Sequence, residues 1–131
     1  MIGALLLKHG VNIQLPANIE SRDAARLTAG YSEDVVITFP GKDPIVGREA
    51  AERFFGERFD KIADEHISVK RVALEHPYAF GLSNTALCEV EVTATYKDGR
   101  TVTGREVYAI DFEGKETKAV RFYVGDLAFL D

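Results

Sequence analysis

The stretch between residues 85 and 112 leaves this chain few ways to fold. Residues 85–96 alternate small apolar and polar side chains rich in β-branched types. Residues 101–112 do the same, and Asp98-Gly99 lies between them. A period of two marks strands, and Asp-Gly between two such runs marks a tight hairpin. A two-residue loop there sets Lys97 opposite Arg100. Counting back places Thr95 opposite Val102, Thr93 opposite Gly104, Glu91 opposite Glu106, Glu89 opposite Tyr108 and Leu87 opposite Ile110. The other face then carries Cys88, Val90, Val92, Ala94, Tyr96, Arg105, Val107 and Ala109.

Upstream the period changes. Gly10 and Pro16 interrupt the first stretch, so residues 2–9 are expected to form no more than a short helix or a packed arm. Asn18 or Ser21 is expected to cap the next helix, whose buried face is Ala24, Leu27, Thr28 and Tyr31. Val35 to Phe39 reads as a strand, closed by a loop containing Pro40, Gly41, Asp43, Pro44 and Gly47. A second helix is expected from about Arg48 to Ile62. Ala51, Phe54, Phe55, Phe59 and Ile62 lie on one side of it, and Glu49, Glu52, Arg53 and Arg58 on the other. Ile67 to Leu74 reads as a strand ended by His76-Pro77. Glu113-Gly114 turns the chain into a last strand from Ala119 to Val124. Helices first, then a meander of strands, predicts an α+β domain with segregated layers.

The 131 residues suit a single domain spanning 1–131, and the composition is ordinary for a globular chain. The net charge of −5 argues against a nucleic-acid partner. One cysteine, Cys88, cannot form an internal disulfide, which suits a cytoplasmic protein. His9, His66 and His76 are scattered and show no metal-ligand spacing; both later histidines read as surface residues. The apolar run Met1–Leu7 is too short to cross a bilayer and lacks the basic start of a signal peptide, so no membrane association is expected.

Three segments carry a family resemblance: Tyr31-Ser-Glu-Asp-Val-Val-Ile-Thr-Phe-Pro40, Val46-Gly-Arg-Glu-Ala-Ala-Glu-Arg-Phe-Phe55, and the run from Asp98-Gly-Arg through Glu113-Gly-Lys to Val120-Arg-Phe-Tyr123. Over roughly residues 20–126 the chain resembles the nuclear transport factor 2-like superfamily, in its SnoaL-like branch. The resemblance implies a cone: a curved, mostly antiparallel sheet with helices packed in its concave face and a pocket between them. Members include ketosteroid isomerases, limonene epoxide hydrolases, scytalone dehydratases, polyketide cyclases and non-enzymatic binding modules. The first sixteen residues depart from the long first helix usual in the family. Known active sites are matched incompletely. The place of the isomerases' general-base aspartate is Phe39, and that of their first-helix tyrosine falls near Leu15. Their oxyanion-binding acid falls at Glu106 or Tyr108, depending on a gap. The epoxide hydrolases' Arg-x-Asp resembles Glu89-Val-Glu91, and their second aspartate Phe122. The resemblance therefore disfavours both reactions in their usual form.

Two functional readings follow. In the first, Glu91 and Glu106 share a partly dry site, one carboxyl keeps its proton, and the pair does acid–base work while Tyr108 polarises an oxygen. Phe39, Phe54, Phe55, Phe59 and Phe122, with Glu89 and Thr93, would line a site for a small hydrophobic, oxygenated ligand. Parity leaves open which of Arg121 and Phe122 faces the helices; the resemblance favours Phe122. Such an enzyme would be a lyase, isomerase or cyclase, and the chemistry calls for no cofactor. In the second reading the carboxylates are a wet sheet face and the chain is a non-catalytic ligand-binding or dimerisation module. A homodimer is expected in either, through an outer patch of Val90, Val92, Val107 and Val120.

Overall fold

A computed structural model describes residues 10–76 and 83–124 of the chain. The expectations for residues 2–9 and for Pro77 lie outside the described residues. A single wide turn, Gly10–Gln14, leads into helix α1, Leu15–Glu20, with Pro16 in its first turn. Proline is welcome there because its missing N–H would have had no helical partner. The chain breaks at Arg22, which takes φ 54°, and restarts as α2, Ala24–Thr28. The cap of α2 is Asp23, whose carboxylate accepts from the Arg26 N–H at 3.2 Å. Asn18 and Ser21 do not cap it: the Ser21 hydroxyl donates back to the Asn18 carbonyl instead.

Strand β1 is Tyr31–Thr38, so Tyr31 opens a strand rather than closing a helix. A two-residue edge strand β2, Ile45–Val46, follows the loop, and Gly47 at φ 99° turns the chain into helix α3, Arg48–Asp60. Four long strands complete the fold: β3 Ile62–Leu74, β4 Ser83–Tyr96, β5 Thr101–Glu113 and β6 Glu116–Val124. They make one six-stranded, curved and unclosed sheet in the order β2-β1-β6-β5-β4-β3. Only β1 with β6 is parallel. Bulges between Ile62 and Asp64, Val69 and Arg71, and Asp111 and Phe112 bend the strands. Ala51, Phe55 and Phe59 of α3 are buried with Val35, Ile37, Cys88, Val90, Val92 and Val120 from the sheet.

The hairpin differs from the sequence expectation by one residue. Its loop is Lys97-Asp98-Gly99: the Gly99 N–H donates to the Tyr96 carbonyl at 2.9 Å, and the Tyr96 N–H to the Arg100 carbonyl at 2.8 Å. Gly99 takes φ 93°, the left-handed residue that ends a three-residue loop. Thr95 therefore faces Thr101, Glu91 faces Arg105 and Val90 faces Glu106. The opposed Glu91–Glu106 pair does not form. One added loop residue reverses the parity of β5 against β4. The slip also relieves like-charge opposition, because Arg105 now reaches Glu89 at 3.3 Å and Glu91 at 3.7 Å.

The same parity corrects the expected outer patch. Val90, Val92 and Val120 face the core, and of the four valines only Val107 is exposed. The outer face carries Leu87, Val107 and Tyr123 among threonines and charged residues, with Val107 directly opposite Tyr123.

Candidate functional site

The inner face of the central hairpin runs Cys88, Val90, Val92, Ala94 and Tyr96 on β4, and Val102, Glu106, Tyr108 and Ile110 on β5. Glu106 is the exception in an apolar row, yet its residue is only 6% exposed. Tyr108, two positions on, points to the same face, and its hydroxyl draws the Glu106 carboxyl toward its ionised form. Its own neighbour is Phe122, whose ring meets the Tyr108 ring edge to face at 4.7 Å.

Phe122 extends an aromatic layer. Its ring stacks on Phe39 at 4.7 Å and 8° and meets Phe55 at 6.1 Å. Phe54 contacts Phe39 and Phe55, and Phe55 stacks on Phe59. Helix α3 contributes Phe54, Phe55 and Phe59, β1 leads to Phe39, and β6 brings Phe122. The parity left open on β6 thus resolves with Phe122 inward.

Three further polar side chains lie within electrostatic reach of Glu106. Arg58, on α3, points both terminal nitrogens at Glu65 of β3, with N–O distances of 3.1 and 3.4 Å. The Glu65 side chain is 1% exposed and that of Arg58 20%. Tyr96, at the end of β4, is 3% exposed, and its hydroxyl has no hydrogen-bond partner among the described residues. Its ring is capped outside by the Arg100 guanidinium, 4.3 Å from the ring centre.

Two buried carboxyls lie near one partly buried guanidinium, which pairs with Glu65 alone, and that imbalance sets the electrostatics. Burial pushes the Glu106 carboxyl from 4.5 up to about 7. Arg58 and the Tyr108 hydroxyl pull it down, and Glu65 pushes it up, without reversing the burial effect. Burial also raises Glu65 despite its bidentate partner. Tyr108 is held well above 10, first by burial and then by Glu106, so it stays a neutral O–H donor. Near pH 7 the site thus presents a carboxyl poised between its two protonation states beside a fixed phenol donor.

The structure divides the expected site residues into two groups. Glu106, Tyr108, Phe39, Phe54, Phe55, Phe59 and Phe122 come together on the helix side. Glu89, Glu91 and Thr93 lie on the other face of the sheet. Glu89 and Glu91 pair with Arg105, and the Thr93 hydroxyl meets that of Thr103 at 3.1 Å. The physical reason is again the loop parity. Among the described residues, no group of three His, Cys, Asp or Glu side chains is placed to hold a metal ion. His66 pairs with Glu20 on the surface at 3.1 Å, and His76 is also exposed.

Arg58, Glu65 and Tyr96 were not foreseen as site residues. A signal existed for Arg58: Ala51, Phe55 and Arg58 are spaced four and three apart, which continues the buried stripe of α3. Glu65 is hidden by a bulge. Ile62 and Glu65, at odd spacing, both face inward only because the strand takes an extra residue between Ile62 and Asp64.

A six-stranded cone with a buried acid–phenol pair beside an aromatic layer defines an α+β domain of the nuclear transport factor 2-like class. More specifically, the chain belongs to the SnoaL-like domain family, whose profile matches residues 14–122. No curated protein matches the sequence. Solved structures share the fold. A provisionally named aromatic ring hydroxylase from Novosphingobium aromaticivorans superposes with a TM-score of 0.85 at 18% identity, covering 99% of this chain and 97% of that one. A nuclear transport factor 2-like superfamily protein from Salmonella enterica gives 0.79 at 17% identity, covering 95% and 92%. A type 2 hexachlorocyclohexane dehydrochlorinase gives 0.75 at 13% identity, covering 94% and 88%. At these identities the likeness is one of fold. No described helix is long and apolar enough to cross a membrane.

Proposed function

We propose that the chain is a small-molecule enzyme that moves protons on a hydrophobic, oxygenated ligand, as a lyase, isomerase or cyclase does. One observation carries this reading: Glu106 is buried, burial pushes its carboxyl up to about 7, and it shares the inner face with the neutral Tyr108 hydroxyl beside a wall of phenylalanines. Glu106 takes a proton from carbon or returns it. Tyr108 donates to the oxygen on which negative charge develops, and the rings of Phe39, Phe54 and Phe122 hold the apolar body. A carboxyl near 7 suits this work because both of its forms are populated at neutral pH. The structural neighbour that removes hydrogen chloride from a cyclic substrate supports the class of chemistry, not the substrate.

A second reading, a binding module without chemistry, draws support from the rings themselves. Phe39, Phe54, Phe55 and Phe122 contact one another and so serve as core whatever else they do. The two readings separate in heavy water. A panel of cyclic ketones is incubated with the protein and followed by proton NMR for loss of the signals next to the carbonyl. Acid–base function predicts exchange that follows a midpoint near 7 and is abolished in Glu106→Gln. Ketones that bind, seen by line broadening, yet exchange no faster than in buffer would leave the binding module.

A further inference from the structure

Among the described residues, Arg58 is the one cation that acts on Glu106, yet it makes no ion pair with it. Its two terminal nitrogens are taken by the two oxygens of Glu65. Chain geometry explains why Glu65 holds this partner. Helix α3 ends at Asp60 and β3 begins at Ile62, so Arg58 and Glu65, seven residues apart, lie on either side of one tight corner. The bulge after Ile62 then turns Glu65 inward, under the last turn of α3. A fork-to-fork pair of this kind fixes the guanidinium in direction as well as in place.

We propose that Glu65 is a positioning residue: by binding both ends of the Arg58 guanidinium it withholds that cation from Glu106 and keeps the Glu106 carboxyl without a counter-ion. A guanidinium paired directly with Glu106 would hold it ionised, as an opposite charge at contact does. Ionised and paired, Glu106 could neither donate a proton nor accept one at neutral pH. The titratable and charged groups that act on Glu106 are Arg58 from α3, Glu65 from β3, Tyr96 from β4 and Tyr108 from β5 itself. Of these, Tyr96 and Tyr108 are neutral phenols, and Arg58 and Glu65 form the ion pair. The one cation therefore stands on Glu65, and Glu106 is left without a direct partner. The use of that arrangement rests on the acid–base reading of Glu106; the arrangement itself does not.

The test is a carbon-13 NMR titration of the Glu106 side chain, which needs no substrate. In Glu65→Gln, Arg58 is released toward Glu106 and one repelling charge is gone, so the Glu106 midpoint should fall from about 7 by more than about one pH unit. Glu65→Asp keeps the charge and should restore a midpoint close to that of the parent. In the double variant Arg58→Met, Glu65→Gln, no cation is left to move, and the midpoint should stay high. A midpoint unchanged in Glu65→Gln overturns the proposal and leaves Glu65 a structural partner of Arg58. A midpoint as low in the double variant as in Glu65→Gln also overturns it, because direct repulsion would then be the whole effect. Failure of Glu65→Gln to fold at pH 8 counts against it too, since an ionised Glu106 should there take up the freed guanidinium. Absence of proton exchange on ketones in the unsubstituted protein, with the titration behaving as stated, would sink the enzymatic reading alone.

Discussion

Glu106→Gln gives the most direct measure of what the buried carboxyl costs the fold. Its folded value near 7 stands above an unfolded value of 4.5. A raised acid is neutral in the fold where the unfolded chain would already be ionised. Its contribution to stability is therefore fully present below pH 4.5, is lost as pH rises toward 7, and changes no further above that. At about 1.4 kcal/mol per pH unit, the loss across the window is about 3 kcal/mol. Glutamine keeps the shape and an oxygen that can accept from Tyr108, but it cannot ionise. The variant and the parent should thus melt together near pH 4. At pH 8 the variant should lead by up to about 3 kcal/mol, roughly 10 °C in a chain of this size. Thermal melts and urea unfolding at several pH values between 4 and 8 give the difference directly. Other titrating groups largely cancel, because both proteins carry them. A stability gap that is the same at pH 4 and pH 8 would refute the reasoning, as would a Glu106 carboxyl titrating in the ordinary range.

Other substitutions follow from the same geometry. Tyr96→Phe removes a buried hydroxyl that has no partner, so stability should hold or rise by about 1 kcal/mol in chemical unfolding; a clear loss would mean that the hydroxyl is bonded. Glu91→Gln touches only an exposed pair with Arg105, so it should shift stability by less than about 0.5 kcal/mol and leave ketone exchange unchanged. Arg58→Met leaves two buried carboxylates uncompensated and should cost about 3–5 kcal/mol at pH 8, less at pH 5 where protonation relieves them. We further propose that two copies pair through the outer sheet face around Leu87, Val107 and Tyr123. Val107→Glu should then turn a dimer into a monomer in sedimentation at tens of micromolar, roughly the concentration at which a real interface persists; a parent that sediments as a monomer would end that proposal.

The sheet, the long third helix and the aromatic layer were legible because each depends on a period. Ala51, Phe55 and Phe59 recur at helical spacing, and β4 alternates cleanly, so their buried faces follow from local rules. The family resemblance added what periodicity cannot supply, the curvature of the sheet and the placing of the helices in its hollow. What escaped were features set by single extra residues. Two bulges on β3 and one on β6 shift these strands against their neighbours, and a bulge leaves no mark in composition. Glu65 became a site residue through one of them. Asp23 capped α2 in place of the expected Asn18 or Ser21 because the left-handed Arg22 set the helix start two residues later than Ser21.

The hairpin shows why the candidate site was the hardest part to place. Register is fixed by the hydrophobic pattern and by the turn together. On β4 the pattern is decisive, with Cys88, Val90, Val92 and Ala94 on one face and Glu89, Glu91, Thr93 and Thr95 on the other. On β5 it is not. One face reads Val102, Gly104, Glu106, Tyr108, Ile110 and the other Thr101, Thr103, Arg105, Val107, Ala109. Each carries a charge and a comparable apolar load, so alternation alone cannot say which is buried. The turn breaks the tie, and Asp98-Gly99 fits a two-residue loop as well as a three-residue loop that ends in a left-handed glycine. The ambiguity has a cause. Glu106 occupies a position where packing alone would favour a valine, and its burial raises the carboxyl it carries. A strand selected for stability alone would have kept its alternation and announced its register. Local sequence rules fail at Glu106, and functional sites are where such failures are expected.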